Sequence, residues 1–265
     1  MSNFTGKEDY QKLFNPKAYL HSYFRFGEGT MGDELLQFVL KHLADVFTSG
    51  KVKGETLIDI GTGPTIYQLL SACEAFKDII VSDFTDKNRE EFNLWLMNQP
   101  GAFDWSAIGK YVCHLEGDRT TWPEKEARLR KTIKQVLKCD VFNSNPLEPV
   151  VLPQADCVLS CLCLEGACSD YEAYVTALKN ITKLLKLGGY LVLAGDLGNT
   201  YYMVGNVKFS GLSLNEEFLK ESLIGAGFVI EKFSISNKTA EIPEEADCLA
   251  NYVITARKER DIEAV

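Results

Sequence analysis

The sequence lacks the features that would place the protein in a membrane or outside the cell. No segment approaches the ~18 consecutive apolar residues that a membrane-spanning helix needs. Residues 1–9 have no apolar core of the length found in signal peptides. We therefore expect a cytoplasmic protein with no membrane partner. At 265 residues, the chain is predicted to form a single α/β domain over 1–265.

Blocks of basic residues are also missing. The chain carries 28 Lys and Arg residues against 37 Asp and Glu residues, a formal net charge of -9. No block of Lys or Arg stands clear of acidic neighbours, whereas proteins that bind nucleic acids usually carry a basic patch or stripe. We therefore expect small-molecule substrates and no nucleic-acid partner.

Cysteines are plentiful, eight in all, but the paired spacings that bind metals are absent. Cys161, Cys163 and Cys168 have neither a Cys-x-x-Cys spacing nor a histidine partner, and strand alternation accounts for the first two. Most of the cysteines lie in or beside apolar stretches, as buried free thiols do. The sequence thus predicts reduced thiols and no metal site.

The most informative segment is 57–64, a short apolar strand that runs into a turn containing Gly61 and Gly63. A second apolar strand ends at Asp83, where an acid can accept hydrogen bonds from ribose hydroxyls. Position 66, where a dinucleotide fingerprint carries its third glycine, is Ile66. The pattern favours a cofactor with a ribose but no diphosphate, such as S-adenosylmethionine. The alternative is that the glycines only form a tight strand-to-helix turn.

Predicted strands alternate with predicted helices, which favours a parallel sheet covered by helices on both faces. The predicted strands are 56–60, 79–82, 156–160 and 190–194, with a terminal antiparallel pair at 229–234 and 252–256. The predicted helices are 34–47, 65–75, 171–187 (stopped by Gly188 and Gly189) and 215–226, with a solvated mixed-charge helix at 124–138.

Two regions lie outside this repeating unit. Residues 1–50 are predicted to form an N-terminal lid and cap, and residues 98–138 a helical insertion. The first region is dense in aromatic residues: Tyr10, Phe14, Tyr19, Tyr23, Phe24 and Phe26. Any one of them could simply pack the N-terminal region against the body. As a group they favour a lid.

Several separated motifs give the chain an end-to-end resemblance to a known family. They are DIGTGPTIYQ at 59–68, KCDV at 138–141, ADCVLS at 155–160, and YYMVG at 201–205 ahead of KFS at 208–210. In these motifs the chain resembles the nicotinamide, phenylethanolamine and indolethylamine N-methyltransferases. The resemblance implies a doubly wound, mostly parallel seven-stranded class I methyltransferase sheet with an N-terminal helical and aromatic lid. It also implies S-adenosylmethionine as the methyl donor.

The resemblance further implies a set of cofactor contacts. They are Tyr19, Phe24, Gly61, Gly63, Tyr67, Asp83, Asn88, Asp140, Val141 and Cys161. Asp83 would bind the ribose, with Asn88 near it, while Asp140 and the backbone amide of Val141 would bind the adenine. Phe24 departs from the tyrosine that is usual in the nicotinamide enzyme, and this puts one hydroxyl contact in doubt.

For the substrate, the resemblance points in two directions. The acids that engage the amine in the phenylethanolamine enzyme align with Glu165 and Asp247. The aspartate and serine that hold the carboxamide in the nicotinamide enzyme align with Gly195 and Gly211, and Asp196 is one residue late. The implied substrate contacts are Tyr19, Leu162, Glu165, Asp196, Tyr202 and Asp247, with Glu165, Asp247 and Asp196 as the catalytic candidates.

Each of these acids also has a purely structural interpretation. Glu165 could cap the helix that begins near Ser169, Asp196 could shape a loop, and Asp247 could be solvated surface. An aliphatic amine must lose a proton before it reacts, so a carboxylate could anchor the cation and then take the proton. Because a carboxylate also stabilises the unreactive ammonium form, the binding role comes first.

The sequence therefore predicts an S-adenosylmethionine-dependent N-methyltransferase, a monomer that transfers the methyl group in line to a small amine or pyridine. Three alternatives stay open. They are a noncatalytic relative that retains the cofactor site, a thioether S-methyltransferase, and a dinucleotide-dependent oxidoreductase, which Ile66 and the motif at Asp140 oppose.

Overall fold

The computed structural model describes residues 4–28, 32–236 and 246–261. Within these residues, seven strands form one sheet in the order β3-β2-β1-β4-β5-β9-β8, and β6 and β7 form a separate hairpin. The strands are β1 (Gly54–Ile60), β2 (Phe76–Asp83), β3 (Ile133–Lys138), β4 (Ala155–Cys161), β5 (Leu185–Leu197), β6 (Tyr201–Val204), β7 (Val207–Ser210), β8 (Phe228–Ile235) and β9 (Ala250–Lys258). In the sheet, β9 runs antiparallel to both of its neighbours, β5 and β8, and the other six strands share one direction, which confirms the predicted sheet and its antiparallel terminal pair.

Helices cover both faces of the sheet. They are α1 (Lys7–Leu13), α2 (Pro16–Tyr23), α3 (Gly32–Thr48), α4 (Ala72–Ala75), α5 (Asp86–Leu96), α6 (Ser106–Leu115), α7 (Trp122–Thr132), α8 (Leu164–Ala167), α9 (Tyr171–Thr182) and α10 (Glu216–Gly225). Apolar residues of α3, α5, α6 and α7 pack on one face, and those of α9 and α10 pack on the other. The predicted lid contains α1, α2 and α3, although residues 1–3 and 29–31 of it lie outside the described part.

The central strand β1 shows why both faces need helices. Leu57 belongs to the core on one face and Ile58 and Ile60 to the core on the other, and all three side chains are fully buried. Apolar side chains buried on both faces are typical of a parallel strand that is covered on both sides. The carboxyl ends of β1, β2, β4 and β5 therefore meet at one edge, between the two helical layers.

The predicted helix at 65–75 is wrong over most of its length. The segment forms only a 3-10 turn, Tyr67–Leu69, and the short helix α4. The hydroxyl of Thr65 donates to the carbonyl of Thr62 at 2.8 Å, and the Gln68 amide donates to the Asp59 carboxylate at 2.9 Å. These side-chain bonds compete with helical backbone bonds and fix the tighter geometry.

The predicted helix at 171–187 is too long at its C-terminal end. Helix α9 ends at Thr182, and Leu185 already pairs with β4. The buried Lys258 ammonium donates to the carbonyls of Thr182 and Leu185, at 3.1 and 2.8 Å. A distant lysine thus satisfies the last carbonyl of the helix, and Gly188 lies within β5 rather than stopping the helix.

The predicted solvated helix at 124–138 is correct only as far as Thr132. Helix α7 ends at Thr132, and residues 133–138 form β3, an edge strand of the main sheet. Lys125 is fully buried, and its ammonium contacts the carboxylates of Glu74 and Glu116 at 3.1 and 2.6 Å. The charge pattern that reads as a solvated face therefore includes a buried ion pair.

The predicted state of the cysteines is confirmed, because all eight are free and all but Cys163 are buried. Across the described residues, no helix combines the length and apolar character needed to cross a membrane. No cluster of three or more His, Cys, Asp or Glu side chains in that part of the chain is arranged to bind a metal ion.

Candidate active site

A cavity lies at the carboxyl edge of the sheet, where open α/β sheets bind ligands. Helices α1 and α2 and the β6–β7 hairpin contribute to its walls. It brings together thirteen of the predicted site residues: Tyr19, Phe24, Gly61, Gly63, Tyr67, Asp83, Asp140, Val141, Cys161, Leu162, Glu165, Asp196 and Tyr202. The other two, Asn88 and Asp247, do not line it.

The turn after β1 requires its two glycines. Gly61 and Gly63 have φ angles of 72° and 64°, a backbone region that other residues rarely adopt. A Cβ atom on Gly61 would lie 2.1 Å from the Cys163 sulfur, whereas one on Gly63 would have open space around it. The backbone amide of Gly63 donates to the Asp83 carboxylate at 2.9 Å. The glycine turn and the second-strand acid are thus directly connected.

Asp83 presents to the cavity a carboxylate whose capacity to accept hydrogen bonds is only partly used. The side chain is 7% exposed, and its Oδ1 accepts hydrogen bonds from the Thr85 amide (2.9 Å), the Thr85 hydroxyl (3.2 Å) and the Asn88 amide (3.0 Å). Its Oδ2 accepts the bond from Gly63. Burial raises the pKa of Asp83, and these donors oppose the shift. Since a carboxylate oxygen can accept two bonds, Oδ2 retains capacity for a ligand hydroxyl.

Asn88 supports Asp83. Its side chain is fully buried in helix α5, and its amide donates to Asp83. Asn88 does not line the cavity, and its direct contact with the cofactor stays a prediction.

A second buried acid lies under the glycine turn. Asp59 is fully buried, and burial raises its pKa to about 7 despite the hydrogen bond from Gln68. Its Oδ1 has no hydrogen-bond partner among the described residues. Asp59 therefore joins β1 to the turn without lining the cavity.

At the opposite end of the cavity from β5, Asp140 lies beside two aromatic rings. Its Oδ1 accepts from the Phe142 amide at 3.0 Å, and its Oδ2 contacts the ammonium of Lys7 in helix α1. That ammonium also lies 4.7 Å from the centre of the Phe142 ring and 5.7 Å from that of Phe84. The Val141 carbonyl accepts from Asn180 at 3.0 Å, which anchors the same loop.

Lys7 was missed by the sequence analysis, because no local pattern connects residues 133 positions apart. It is one of several contacts that hold α1 across the cavity. The Gln11 amide donates to Asp86 at 2.8 Å, and the Thr5 amide donates to the Ser210 hydroxyl at 3.0 Å. Helix α1 is thus attached on both sides of the cavity.

We expect Lys7→Met to weaken S-adenosylmethionine binding about 5- to 30-fold. A partly exposed ion pair and a cation–π contact contribute roughly 0.5–1 kcal/mol each, and their loss lets α1 open. Lys12→Met is the control, because Lys12 lies on the same helix with its ammonium 3.9 Å from an exposed Glu8. Calorimetric titration checks the result. Tighter binding to the Lys7 variant would instead mean that the ammonium competes with the adenine for Asp140.

Aromatic rings form the wall supplied by the N-terminal helices. The ring centre of Tyr19 lies 5.3 Å from Phe14, 5.2 Å from Tyr23 and 5.3 Å from Phe24. Phe24 is 2% exposed and also packs on Tyr67, with ring centres 5.3 Å apart. Burial raises the pKa of Tyr19 and of Tyr67 well above the ordinary value, so both phenols are neutral near pH 7.

The chain leaves β4 through a strained residue. Leu162 has a φ of 52°, unusual for a side chain of this shape, and its amide donates to the Ala194 carbonyl at 2.8 Å. Its neighbour Cys161 lines the cavity, and burial raises the pKa of that thiol well above the ordinary value. Cys161 is therefore a neutral contact surface rather than a nucleophile.

Glu165 supplies a buried carboxyl group at the end of the cavity that Asp196 also lines. It is 7% exposed in helix α8, and its Oε1 accepts from the Asp196 amide at 3.3 Å. Burial, followed by the nearby charge of Asp196, raises its pKa to about 8. It does not cap the next helix, because Asp170 does so by accepting from Ala173 at 2.8 Å.

Asp196 also faces the cavity, although it follows Gly195 on the strand. Its carboxylate contacts the Asn251 amide, its cross-strand partner in β9, and accepts from the Asn199 amide at 3.4 Å. Asn199 and Asn251 line the cavity too and were not predicted from the sequence. The register of the terminal strand pair is the signal that could have found Asn251.

Asp247 does not line the cavity, and its role as a catalytic and substrate residue stays a prediction. Its carboxylate accepts from the backbone amides of Thr200 and Tyr201, at 2.6 and 3.1 Å. Burial alone would raise its pKa, but these bonds and the Thr200 hydroxyl hold it below the ordinary value. The carboxylate thus braces the start of β6. The neighbouring residues Ala246 and Cys248 line the cavity instead.

Comparison with known proteins gives consistent matches. The model of the NNMT/PNMT/TEMT family matches residues 2–259. The chain is 50% identical to nicotinamide N-methyltransferase of Homo sapiens over 239 residues, 90% of each chain. It is 51% identical to indolethylamine N-methyltransferase of Oryctolagus cuniculus over 234 residues, 88% of this chain and 89% of that protein. It is 43% identical to phenylethanolamine N-methyltransferase of Bos taurus over 220 residues, 81% and 77% of the two chains.

A solved structure shows the same fold at low sequence identity. Magnesium protoporphyrin IX methyltransferase of Synechocystis PCC 6803 with bound SAH matches with a TM-score of 0.59 and 13% identity. The match covers 95% of this chain and 97% of that one.

Proposed function

Because the chain belongs to the NNMT/PNMT/TEMT family and is an S-adenosylmethionine-dependent N-methyltransferase, we propose that its acceptor is a small amine whose ammonium form binds Glu165. The observation that carries this proposal is the buried carboxyl group of Glu165 in the cavity wall. A charged carboxylate of this kind is costly to bury unless a cation compensates it.

The cofactor fits the first half of the cavity. Asp83 has a free acceptor position for a ribose hydroxyl, and Gly63 leaves open space beside it. Asp140 and Val141 suit the adenine, while Gly61, Tyr67 and Cys161 suit the methionine end. When bound, S-adenosylmethionine supplies an electrophilic methyl group on a positively charged sulfur.

The chain's own contribution is positioning. Bringing two reactants into line can be worth ~7–11 kcal/mol in effective-molarity terms, provided that the bound geometry is close to reaction. Tyr19, Phe24 and Tyr202 form apolar walls that exclude water from the acceptor. Leu162 places its side chain in the same wall.

Glu165 holds the amine first and accepts its proton second. A pKa of about 8 means that the group changes protonation close to physiological pH. In the carboxylate form it binds the ammonium. Because an acid whose pKa is near the working pH is also an effective proton acceptor, the same group can take the proton that the amine must lose.

Asp196 favours a pyridine carboxamide as the second candidate. Its carboxylate lines the cavity beside the amides of Asn199 and Asn251, where a neutral carboxamide could exchange hydrogen bonds. Nicotinamide is an acceptor named for one relative. Such an acceptor needs no anchoring carboxylate at Glu165.

The test is methyl transfer from labelled S-adenosylmethionine to phenylethylamine, tryptamine, nicotinamide and a simple thioether. We expect the amines to have a kcat/KM at least 10-fold above that of nicotinamide. A preference for nicotinamide would move the acceptor to Asp196. A preference for the thioether would exclude an ammonium anchor, and cofactor binding without any turnover would mean that the acceptor belongs to another chemical class.

We further propose that the enzyme works as a monomer in the cytoplasm. Eight free thiols, seven of them buried, support a reducing compartment. Light scattering after gel filtration tests the monomer, and fractionation of cells tests the location.

A further inference from the structure

Two glycines next to the acceptor end of the cavity have their side-chain space filled by other residues. Gly195 lies in β5, and a Cβ atom built on it would lie 2.4 Å from Oε1 of Glu165 and 2.8 Å from the Tyr252 hydroxyl. Real Cβ atoms do not come so close to other atoms. The carboxyl group of Glu165 can therefore take its position only because residue 195 has no side chain.

The same arrangement occurs at Gly211, where a side-chain amide fills the space that a side chain at position 211 would need. A Cβ atom on Gly211 would lie 2.5 Å from Oδ1 of Asn199. Asn199 lines the cavity and donates to Asp196 at 3.4 Å. Any side chain at position 211 would push the Asn199 amide away from this place.

The groups that a side chain at position 195 or 211 would displace are polar groups in the part of the cavity wall proposed to bind the acceptor, here called the acceptor wall. Glu165 and Asp196 bring two carboxyl groups to this wall, and Asn199 brings an amide oxygen. Among the described lining residues, the cationic side chain is Lys7, which binds Asp140 at the other end. The wall thus suits a cation that also carries a hydrogen-bond donor.

We infer that Gly195 and Gly211 determine acceptor specificity, by leaving the space in which Glu165 and Asn199 present a carboxylate and an amide oxygen to an amine with a second donor group. The inference rests on the proposed amine acceptor. The two glycines act by leaving room for the side chains of Glu165 and Asn199. They need not touch the substrate.

A double-mutant cycle tests the first pair. We expect Gly195→Ala to lower kcat/KM for phenylethylamine at least 10-fold and the amine-to-nicotinamide ratio by a similar factor, with S-adenosylmethionine affinity within 2-fold of the parent. In the Glu165→Ala background, the same change should lower kcat/KM for phenylethylamine less than 2-fold. Gly225→Ala is the control, since a Cβ atom there meets open space far from the cavity.

The outcomes separate this inference from the proposed function. If Glu165→Ala leaves amine turnover unchanged, the amine anchor itself is wrong. If Glu165→Ala lowers turnover but Gly195→Ala does not, or costs as much in both backgrounds, only the glycine inference is overturned. Because Tyr252 is also close, Gly195→Ala could fail to fold. The matching cycle of Gly211→Ala with Asn199→Ala, assayed on a hydroxylated phenylethylamine, then decides by the same criteria.

Discussion

Asp83→Asn is expected to weaken S-adenosylmethionine binding on the order of 100-fold, since a hydrogen bond to a charged group contributes roughly 1.5–3 kcal/mol. Asparagine keeps an oxygen for Thr85 and Asn88, but its amide nitrogen replaces the oxygen that faces the cavity and cannot accept from Gly63 or from a ribose hydroxyl. The ratio of kcat/KM values between amine and pyridine acceptors should stay within about 2-fold, because in our interpretation Asp83 binds only the cofactor. Calorimetric titration with the cofactor and the acceptor panel give the two readouts.

The control for this substitution is Asp78→Asn on the same strand. Asp78 lies at the other end of β2, half exposed, with its carboxylate 3.6 Å from the Lys134 ammonium. Its replacement should leave cofactor affinity unchanged. Equal affinity of the Asp83 variant and the parent would remove Asp83 from the ribose role.

The glycine turn and Asp83 could be predicted because their relation is local to two neighbouring strands. An apolar run, two glycines and an acid at the end of the next run determine both the sheet edge and the ligand that it suits. Cys161 and Glu165, which the family resemblance implied, lie at the end of β4 and in the short helix that follows it. Residues at the carboxyl ends of parallel strands are therefore accessible to sequence reasoning.

Residues whose positions depend on long-range contacts could not be predicted from the sequence. Lys7 reaches Asp140 through the path of α1, and Lys125 is buried by carboxylates from two other segments. Asp247 illustrates the opposite case. Its acidic character fitted an amine anchor, but its carboxylate satisfies the backbone amides that open β6. Sequence pattern reports the residue type, and only the packing of distant segments decides its partner.

Glu165→Gln is expected to stabilise the protein at alkaline pH. With a pKa of about 8 in the folded state against about 4.5 in the unfolded chain, the folded protein binds one more proton between these values. The free energy of unfolding therefore falls as pH rises through this window, by up to about 4 kcal/mol between pH 5 and 9. Glutamine cannot ionise, so the variant should lose this slope.

Thermal unfolding of parent and variant across this range measures the effect. The variant should gain on the order of 10 °C in Tm relative to the parent at pH 9 and much less at pH 5. Comparison at each pH cancels the slope from Asp59, whose pKa of about 7 is unchanged by the substitution. A constant difference at all pH values would mean that Glu165 is ionised throughout.

The same variant should lose most of its activity toward amines. Removing one partner of a buried charge pair costs about 2–5 kcal/mol, or roughly 30- to 4000-fold in kcat/KM for phenylethylamine. In the pH profile, the rise of kcat/KM near pH 8 that comes from ionisation of Glu165 should disappear. The change that comes from ionisation of the substrate amine, near pH 10 for a lysine-like group, should remain. Nicotinamide turnover and cofactor affinity should change less than 3-fold.

A variant that is more stable at high pH yet still methylates amines at the parental rate would leave Glu165 as a buried acid without an anchoring role. Greater stability together with lost amine turnover would show that the enzyme tolerates an unfavourable buried charge because the substrate cation requires it.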